Sequence, residues 1–276
     1  MFLQKTVYDL IAHAKSLGLK VGGNSNAFLI NPEIAEKIAR SGLDMLYVSL
    51  DGDNAATHDA IRGVPGAFDH VFTGVANLKR AAPRIGTFFN MTVNATNVGQ
   101  ITGVAQRARE AGVDGLTVEI TNTFDKYNPN PELILARGQY PMLREQIRTL
   151  MDDYPDLLPH QEDYFAEFET YLTQPERLYS YRCAAGYITA QIHPNGDLYP
   201  CPVAFKKIGN LAERGFRDLW FSPEADAVRR DIKEGRHPIC WVTCVSPLNQ
   251  FLSYLSPFKL HKLLRPRTLK HILRKL

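Results

Sequence analysis

All four cysteines of this 276-residue chain fall in one short stretch, at Cys183, Cys201, Cys240 and Cys244, with none in the preceding 182 residues. Thiolates are metal ligands, and their grouping matters more than their number. Cys183 and Cys201 bracket a run whose centre, Pro194-Asn195-Gly196-Asp197, carries an Asn-Gly turn between short apolar segments, the strongest local hairpin signal. Folding that turn brings the two sulfurs to one end of the hairpin. Cys240 and Cys244, in CWVTC, offer two more thiolates from a single loop or helical turn. Four thiolates from two local pairs suit a tetrahedral zinc ion or an iron-sulfur cube. Taken singly, each cysteine is an ordinary small buried hydrophobe; the grouping favours a shared centre.

A second set of chemistry-bearing residues lies in the first half. Short apolar runs end in polar residues: Asn24 and Asn26, then Ser49 and Asp51, then Thr92 and Asn94, then Glu119. Where parallel strands end together, such residues face one opening, and ligands gather there. The plain alternative for Asp51-Gly52 is a strand-terminating turn. In THDAIRG, His58 and Arg62 stand four apart and share a helix face. Arg62 can reach a cofactor carboxylate from there, or cap the helix that carries it.

The elements that position these residues can be read from periodicity. Helical patterns at 3–17, 32–41, 54–82 and 98–111 alternate with β-rich runs at 19–23, 45–50, 85–93 and 115–120, and Gly18, Gly42 and Gly112 close three of the helices. The pattern at 54–82 is broken around Gly63 to Gly66, so it holds one helix or two. Four strands alternating with helices predict a parallel sheet with right-handed crossovers, an α/β architecture. The chain opens on a helix, which leaves the first strand at an exposed edge or in need of a partner. Beyond an Asn- and Pro-rich loop, helices are expected at 139–153 and 160–173, followed by short strands at 188–193 and 197–199.

Composition bounds the function. An apolar content of 45% supports a buried core. A net charge of +3 gives no reason for a nucleic-acid partner, and there is neither an export signal nor an apolar run of roughly 18 residues. A cytoplasmic protein is expected, where thiols serve as ligands more readily than as disulfides. Residues 251–276 differ from the rest: seven Lys or Arg and no acid, leaving the remainder at a net −4. That tail fits a peripheral membrane contact, or a packed helix with a solvated basic face, or a loose end.

At the level of motifs the chain resembles the radical S-adenosylmethionine enzymes that carry a C-terminal SPASM or twitch auxiliary iron-sulfur domain. The carriers are Cys183, Gly196, Cys201 and Pro202 at their spacing, the segment IGNLAERGFRDLWFSPEADAVRRDI, and upstream LYVSLDGDNAATHDAIRGVPGAFDHVFTGVANL and GLKVGGNSNAFLINPEIAEKIARSGLD. The resemblance implies a partial parallel β/α barrel at 1–122, a helical linker region at 123–180, an auxiliary-cluster domain with a β-hairpin at 181–250 and the basic tail at 251–276. It implies that Cys183, Cys201, Cys240 and Cys244 hold one [4Fe-4S] auxiliary cluster, which would relay electrons. It also implies that Ser49, Asp51, Asn26, Thr92, Asn94 and Arg62 bind S-adenosylmethionine.

The pattern departs from the family in two ways. The Cys-x-x-x-Cys-x-x-Cys loop that binds the second, catalytic [4Fe-4S] cluster is absent, so the first strands and that loop are expected upstream of Met1, and catalysis by this chain alone is not. The closing pair is Cys-x-x-x-Cys rather than Cys-x-x-Cys, and four thiolates support a single cluster. The complete enzyme is implied to be an oxidoreductase or maturase that abstracts hydrogen through a 5′-deoxyadenosyl radical, served by an electron donor such as a flavodoxin or ferredoxin. Its substrate is unknown and its catalytic residues unassigned. The alternative is a non-catalytic iron-sulfur or zinc binding module that grips a peptide or partner subunit.

Overall fold

The computed structural model describes residues 2, 4, 6–121, 130–158, 162–201, 203 and 205–254; the tail beyond 254, Pro202 and most of the Asn- and Pro-rich loop lie outside them. The chain divides into two compact units, Met1–Pro159 and His160–Leu276.

The first unit is a repeating α/β arrangement: α1 (Val7–Ser16), β1 (Gly22–Ser25), α2 (Pro32–Ser41), β2 (Met45–Ser49), α3 (Ala55–Arg62), α4 (Ala67–Ala81), β3 (Gly86–Val93), α5 (Ile101–Ala111), β4 (Gly115–Ile120) and α6 (Tyr140–Asp153). The strands pair in parallel in the order β1-β2-β3-β4. The helices start and stop where the sequence places caps. Asn31 accepts the Ile34 N–H at 2.9 Å and Asn54 the Thr57 N–H at 3.0 Å. Gly63 (φ 65°) and Gly66 (φ 78°) hold the left-handed turns that split 54–82 into α3 and α4.

Strand alternation gives the sheet two unlike faces. Leu46, Val48, Phe89, Met91, Val93, Leu116, Val118 and Ile120 are buried on one of them. There Phe72 of α4 meets Phe89 edge to face, with ring centroids 6.0 Å apart, and α5 packs on β3 and β4. The other face carries Tyr47, Ser49, Phe88, Asn90, Thr92, Thr117 and Glu119, all half-buried. β1 begins three residues later than periodicity predicts. The Val21 N–H is taken by the Asp44 carboxylate at 2.7 Å, and Leu19 is 54% exposed, so the ladder begins at Gly22.

The second unit contains α7 (Glu162–Ala166), α8 (Phe168–Thr173), β5 (Gln191–Ile192), β6 (Asp197–Tyr199), β7 (Gly209–Asn210), α9 (Phe216–Trp220), α10 (Pro223–Lys233) and α11 (Ser246–Tyr254). The expected helix at 160–173 is two short helices among the described residues, interrupted at Glu167. The expected hairpin is present, with Gly196 (φ 87°) at its turn and β5 pairing with β6 antiparallel. Its first strand is shorter than the predicted 188–193, and a third antiparallel strand, β7, lies on β6.

Candidate cofactor face and thiolate centre

On the half-buried face of the first unit, register aligns Ser49 of β2 with Asn90 of β3, and Asn90 with Thr117 of β4. One step further along, Thr92 aligns with Glu119. Thr117 donates its hydroxyl to the Asn90 side-chain oxygen at 2.7 Å. Hydroxyls, an amide and a carboxylate in two adjacent rows can hydrogen-bond ribose hydroxyls, an ammonium group or a carboxylate.

Asp51 sits one residue past Leu50 and is 2% exposed. Its carboxylate is fully engaged: one oxygen accepts the Thr92 N–H at 2.9 Å and the other pairs with Arg62 at 2.5 Å. Its own N–H donates to His58 Nδ1 at 3.0 Å, and its carbonyl accepts from Asn97 Nδ2 at 2.8 Å. Asp51 therefore ties the end of β2 to the end of β3 and to the middle and C-terminal end of α3. Burial pushes His58 below its ordinary pKa, while the Asp51 charge pulls it back and the Arg62 charge adds to the depression. Neutral His58 is the form able to accept the Asp51 N–H.

The other expected residues fall in different places. Thr92 and Ser49 lie on the polar face. Asn94 is buried in the loop after β3, where its side-chain oxygen accepts from the Thr96 N–H at 2.8 Å and the Thr96 hydroxyl at 2.6 Å. Asn26 is exposed after β1 and accepts the Phe28 N–H at 3.3 Å. Asn97 was not singled out from the sequence, yet it is fully buried and donates to both the Asp51 and Thr92 carbonyls while accepting the Asn94 N–H. The Asn-x-x-Asn spacing after a strand was the available signal. Gly52 was read only as a turn residue. A Cβ there would lie 2.9 Å from the His58 nitrogen, so glycine lets α3 approach the strand end.

In the second unit none of the four cysteines is disulfide-bonded. Cys201 is buried, Cys183 and Cys240 are half-buried and Cys244 is exposed. Burial pushes the Cys240 thiol up, and the nearby Cys183, Cys201 and Cys244 push it in the same direction. Among the described residues no group of three or more His, Cys, Asp or Glu side chains is gathered as a site for a metal ion. A single zinc needs every sulfur about 2.3 Å from one point; a cube spreads its thiolates over separate corners. The donor chemistry, four thiol sulfurs, fits an iron-sulfur group.

The loop bearing Cys240 and Cys244 is anchored from inside. Trp241, 3% exposed, stacks on Tyr164 with centroids 5.7 Å apart and an interplanar angle of 7°. Its indole N–H donates to the Tyr164 carbonyl at 2.9 Å. The Tyr164 hydroxyl donates to the Trp241 carbonyl at 3.3 Å, closing the pair in both directions.

Comparison with known proteins matches both halves. Residues 2–108 match the model of the radical SAM superfamily, and residues 183–245 match SPASM, an iron-sulfur cluster-binding domain. An AdoMet-dependent heme synthase of Methanosarcina barkeri is 28% identical over 246 residues, covering 85% of this chain and 70% of that protein. The mycofactocin maturase MftC of Mycolicibacterium smegmatis is 28% identical over 247 residues, covering 86% of this chain and 59% of that protein. The crystal structure of Streptococcus suis SuiB bound to S-adenosylmethionine aligns with a TM-score of 0.59 at 18% identity, over 80% of this chain and 53% of that one. The chain thus spans between about half and 70% of these relatives. With a parallel α/β sheet in one unit, a small antiparallel sheet beside four cysteines in the other and both family models matched in that order, the chain belongs to the radical SAM superfamily and carries a SPASM iron-sulfur domain.

Proposed function

We propose that this chain is part of a radical S-adenosylmethionine oxidoreductase or maturase in which Cys183, Cys201, Cys240 and Cys244 are the four protein ligands of one auxiliary [4Fe-4S] cluster. The observation that carries this reading is the grouping of all four cysteines, as two local pairs, in a stretch that matches an iron-sulfur cluster-binding domain. With all four positions filled by protein, the centre serves as an electron relay and leaves no corner open to substrate. The domain division proposed is a barrel part at 1–122, a linker at 123–180 and the cluster domain at 181–250.

Ser49, Thr92 and Asn26 are proposed to face the S-adenosylmethionine, with Ser49 and Thr92 offering hydroxyls to its polar groups. Asp51, Arg62 and Asn94 act on the same face from behind: Asp51 and Arg62 neutralise each other and fix the two strand ends, and Asn94 shapes the loop after β3. S-adenosylmethionine, reductively cleaved, supplies the hydrogen-abstracting radical. That cleavage calls for a second cluster on three cysteines, which this chain does not itself provide, since its first cysteine is Cys183. An electron donor of the flavodoxin or ferredoxin kind would serve the complete enzyme. Among the relatives one is an AdoMet-dependent heme synthase and one the mycofactocin maturase MftC, and SuiB has been solved with its precursor peptide SuiA; an oxidative modification of a peptide or of a larger cofactor is the substrate class proposed.

The test is anaerobic reconstitution of the full chain with iron and sulfide, and separately with zinc. The expected product is brown, with visible absorption that dithionite bleaches. A colourless protein that takes up zinc alone supports the binding-module alternative.

A further inference from the structure

Three strands of the first unit bring Ser49, Asn90 and Thr117 into one polar row on the half-buried face. The row beneath it is apolar: Tyr47 and Phe88 stack there with ring centroids 5.1 Å apart and an interplanar angle of 22°. Gly115 completes that lower row, and a Cβ at this position would stand 3.0 Å from the Phe88 ring, so glycine leaves the ring its place. The Thr117 hydroxyl decides which way the Asn90 amide is turned. It has one proton to give, and the Asn90 side-chain oxygen at 2.7 Å takes it in preference to the Phe89 carbonyl at 3.3 Å. With its oxygen so held, Asn90 leaves its NH2 group to the rest of the row. Among the described residues neither that group nor the Ser49 hydroxyl has a hydrogen-bond partner. The Tyr8 hydroxyl is the one buried side-chain polar atom without a partner among those residues, so the Asn90 NH2 and the Ser49 hydroxyl both stay open to solvent. A donor oriented in advance can take a ligand oxygen at little cost in ordering.

We infer that Asn90 is a specificity-determining residue of the cofactor face: its NH2 group donates to an acceptor oxygen of S-adenosylmethionine beside Ser49, and Thr117 is the positioning residue that keeps the amide turned that way. This rests on the reading of that face proposed above and adds two residues to it. A ribose oxygen and the carboxylate of the methionyl part share the required chemistry. The ammonium group needs an acceptor, and Asn90 refuses it because Thr117 already holds the only oxygen of the amide. The effect of Thr117 on the ligand passes through Asn90.

The experiment titrates the full chain with S-adenosylmethionine, and separately with 5′-deoxyadenosine, which has the ribose but no carboxylate, and reads binding by ligand-observed NMR. Wild type is compared with Asn90→Leu, Thr117→Val, the double variant and Thr117→Ser, each checked for fold by circular dichroism. Asn90→Leu and Thr117→Val are expected to weaken S-adenosylmethionine binding about 3- to 10-fold, the range for one hydrogen bond. Thr117→Ser, which keeps the hydroxyl, should restore it. Because Thr117 acts through Asn90, the double variant should lose no more than Asn90→Leu alone. Equal losses for both ligands assign the acceptor to the ribose, and a loss confined to S-adenosylmethionine assigns it to the carboxylate; either supports the inference. Should Asn90→Leu fail to fold, Asn90→Ala is read in its place. Wild-type affinity in the Asn90 variant overturns the inference while leaving the cofactor face intact, and additive losses in the double variant overturn the part given to Thr117. A wild-type chain that binds neither ligand overturns the cofactor-face reading first.

Discussion

The Asp51 carboxylate lies between two partners from different elements, the Thr92 N–H at 2.9 Å and the Arg62 guanidinium at 2.5 Å, and so locks the end of β2 to the end of β3. Asp51 is almost wholly buried while Arg62 keeps about a third of its side chain in solvent. Removing the cation strands a buried charge, which costs more than the pair contributes. Because Arg62 is partly solvated, Arg62→Ala is expected to cost about 2–3 kcal/mol, below the usual range for a fully buried pair. Urea unfolding of Arg62→Ala, Asp51→Ala and the double variant measures it. The cycle should show coupling above about 1 kcal/mol; additive losses would mean the pair does not act as a unit.

Removing Asn97 should be nearly as damaging. Its amide serves two buried carbonyls, those of Asp51 and Thr92. Asn97→Ala leaves both without that donor, at about 1–3 kcal/mol in all. Chemical denaturation reads the loss directly, and a change below about 0.5 kcal/mol would count against the network drawn here.

A pH effect follows from His58. Its folded pKa is depressed, first by burial, so the unfolded chain binds more protons in the window below the ordinary histidine value of about 6.5. The stability due to neutral His58 is therefore fully present above that value and is lost as the pH falls through the folded pKa. Denaturation midpoints followed from pH 7.5 downward should decline, and His58→Asn should flatten the slope. His237 in the second unit is depressed in the same direction, also chiefly by burial, so part of the decline should survive in that variant. An unaltered slope in His58→Asn would remove His58 from the explanation.

Gly52 is a steric requirement. A Cβ at this position would stand 2.9 Å from the His58 backbone nitrogen and 2.9 Å from Thr57 Cβ, so Gly52→Ala must displace the start of α3. The expected cost is about 1–3 kcal/mol, the usual range for overpacking. Gly138, with nothing within 4 Å of an added Cβ and no left-handed φ, is the control that should tolerate alanine.

Trp241→Phe keeps much of the aromatic stacking on Tyr164 and deletes the indole donor, leaving the Tyr164 carbonyl with the Glu167 N–H at 3.3 Å. A loss of about 0.5–1.5 kcal/mol is expected, with reduced iron retention because the loop between Cys240 and Cys244 loosens. Iron per chain after gel filtration, compared with wild type, checks the second effect separately from the first.

Much of this was legible from local signals. Asn31-Pro32 and Gly42 mark the ends of α2 by capping chemistry, which depends on adjacent residues only. The same holds for the Gly63 to Gly66 break and the Asn195-Gly196 turn. The face on which Ser49 and Thr92 lie follows from alternation, once the strands are known. What stayed hidden depends on tertiary partners. Nothing near Asp51 in sequence announces that Thr92 and Asn97, more than forty residues away, will take up its carboxylate and carbonyl. Trp241 is likewise ordinary in sequence and gains meaning only when Tyr164 arrives beside it. The two-residue strand β7 is too short to carry a period, so pairing with β6 alone defines it.

The most direct measurement is iron and acid-labile sulfide per chain in anaerobically reconstituted protein, wild type and with each of Cys183, Cys201, Cys240 and Cys244 replaced by alanine in turn. About four irons and four sulfides are expected in wild type, with marked loss in every one of the four variants. Wild-type protein without iron, or a single alanine variant that keeps the full complement and an unchanged spectrum, would contradict a cluster held by these four thiolates.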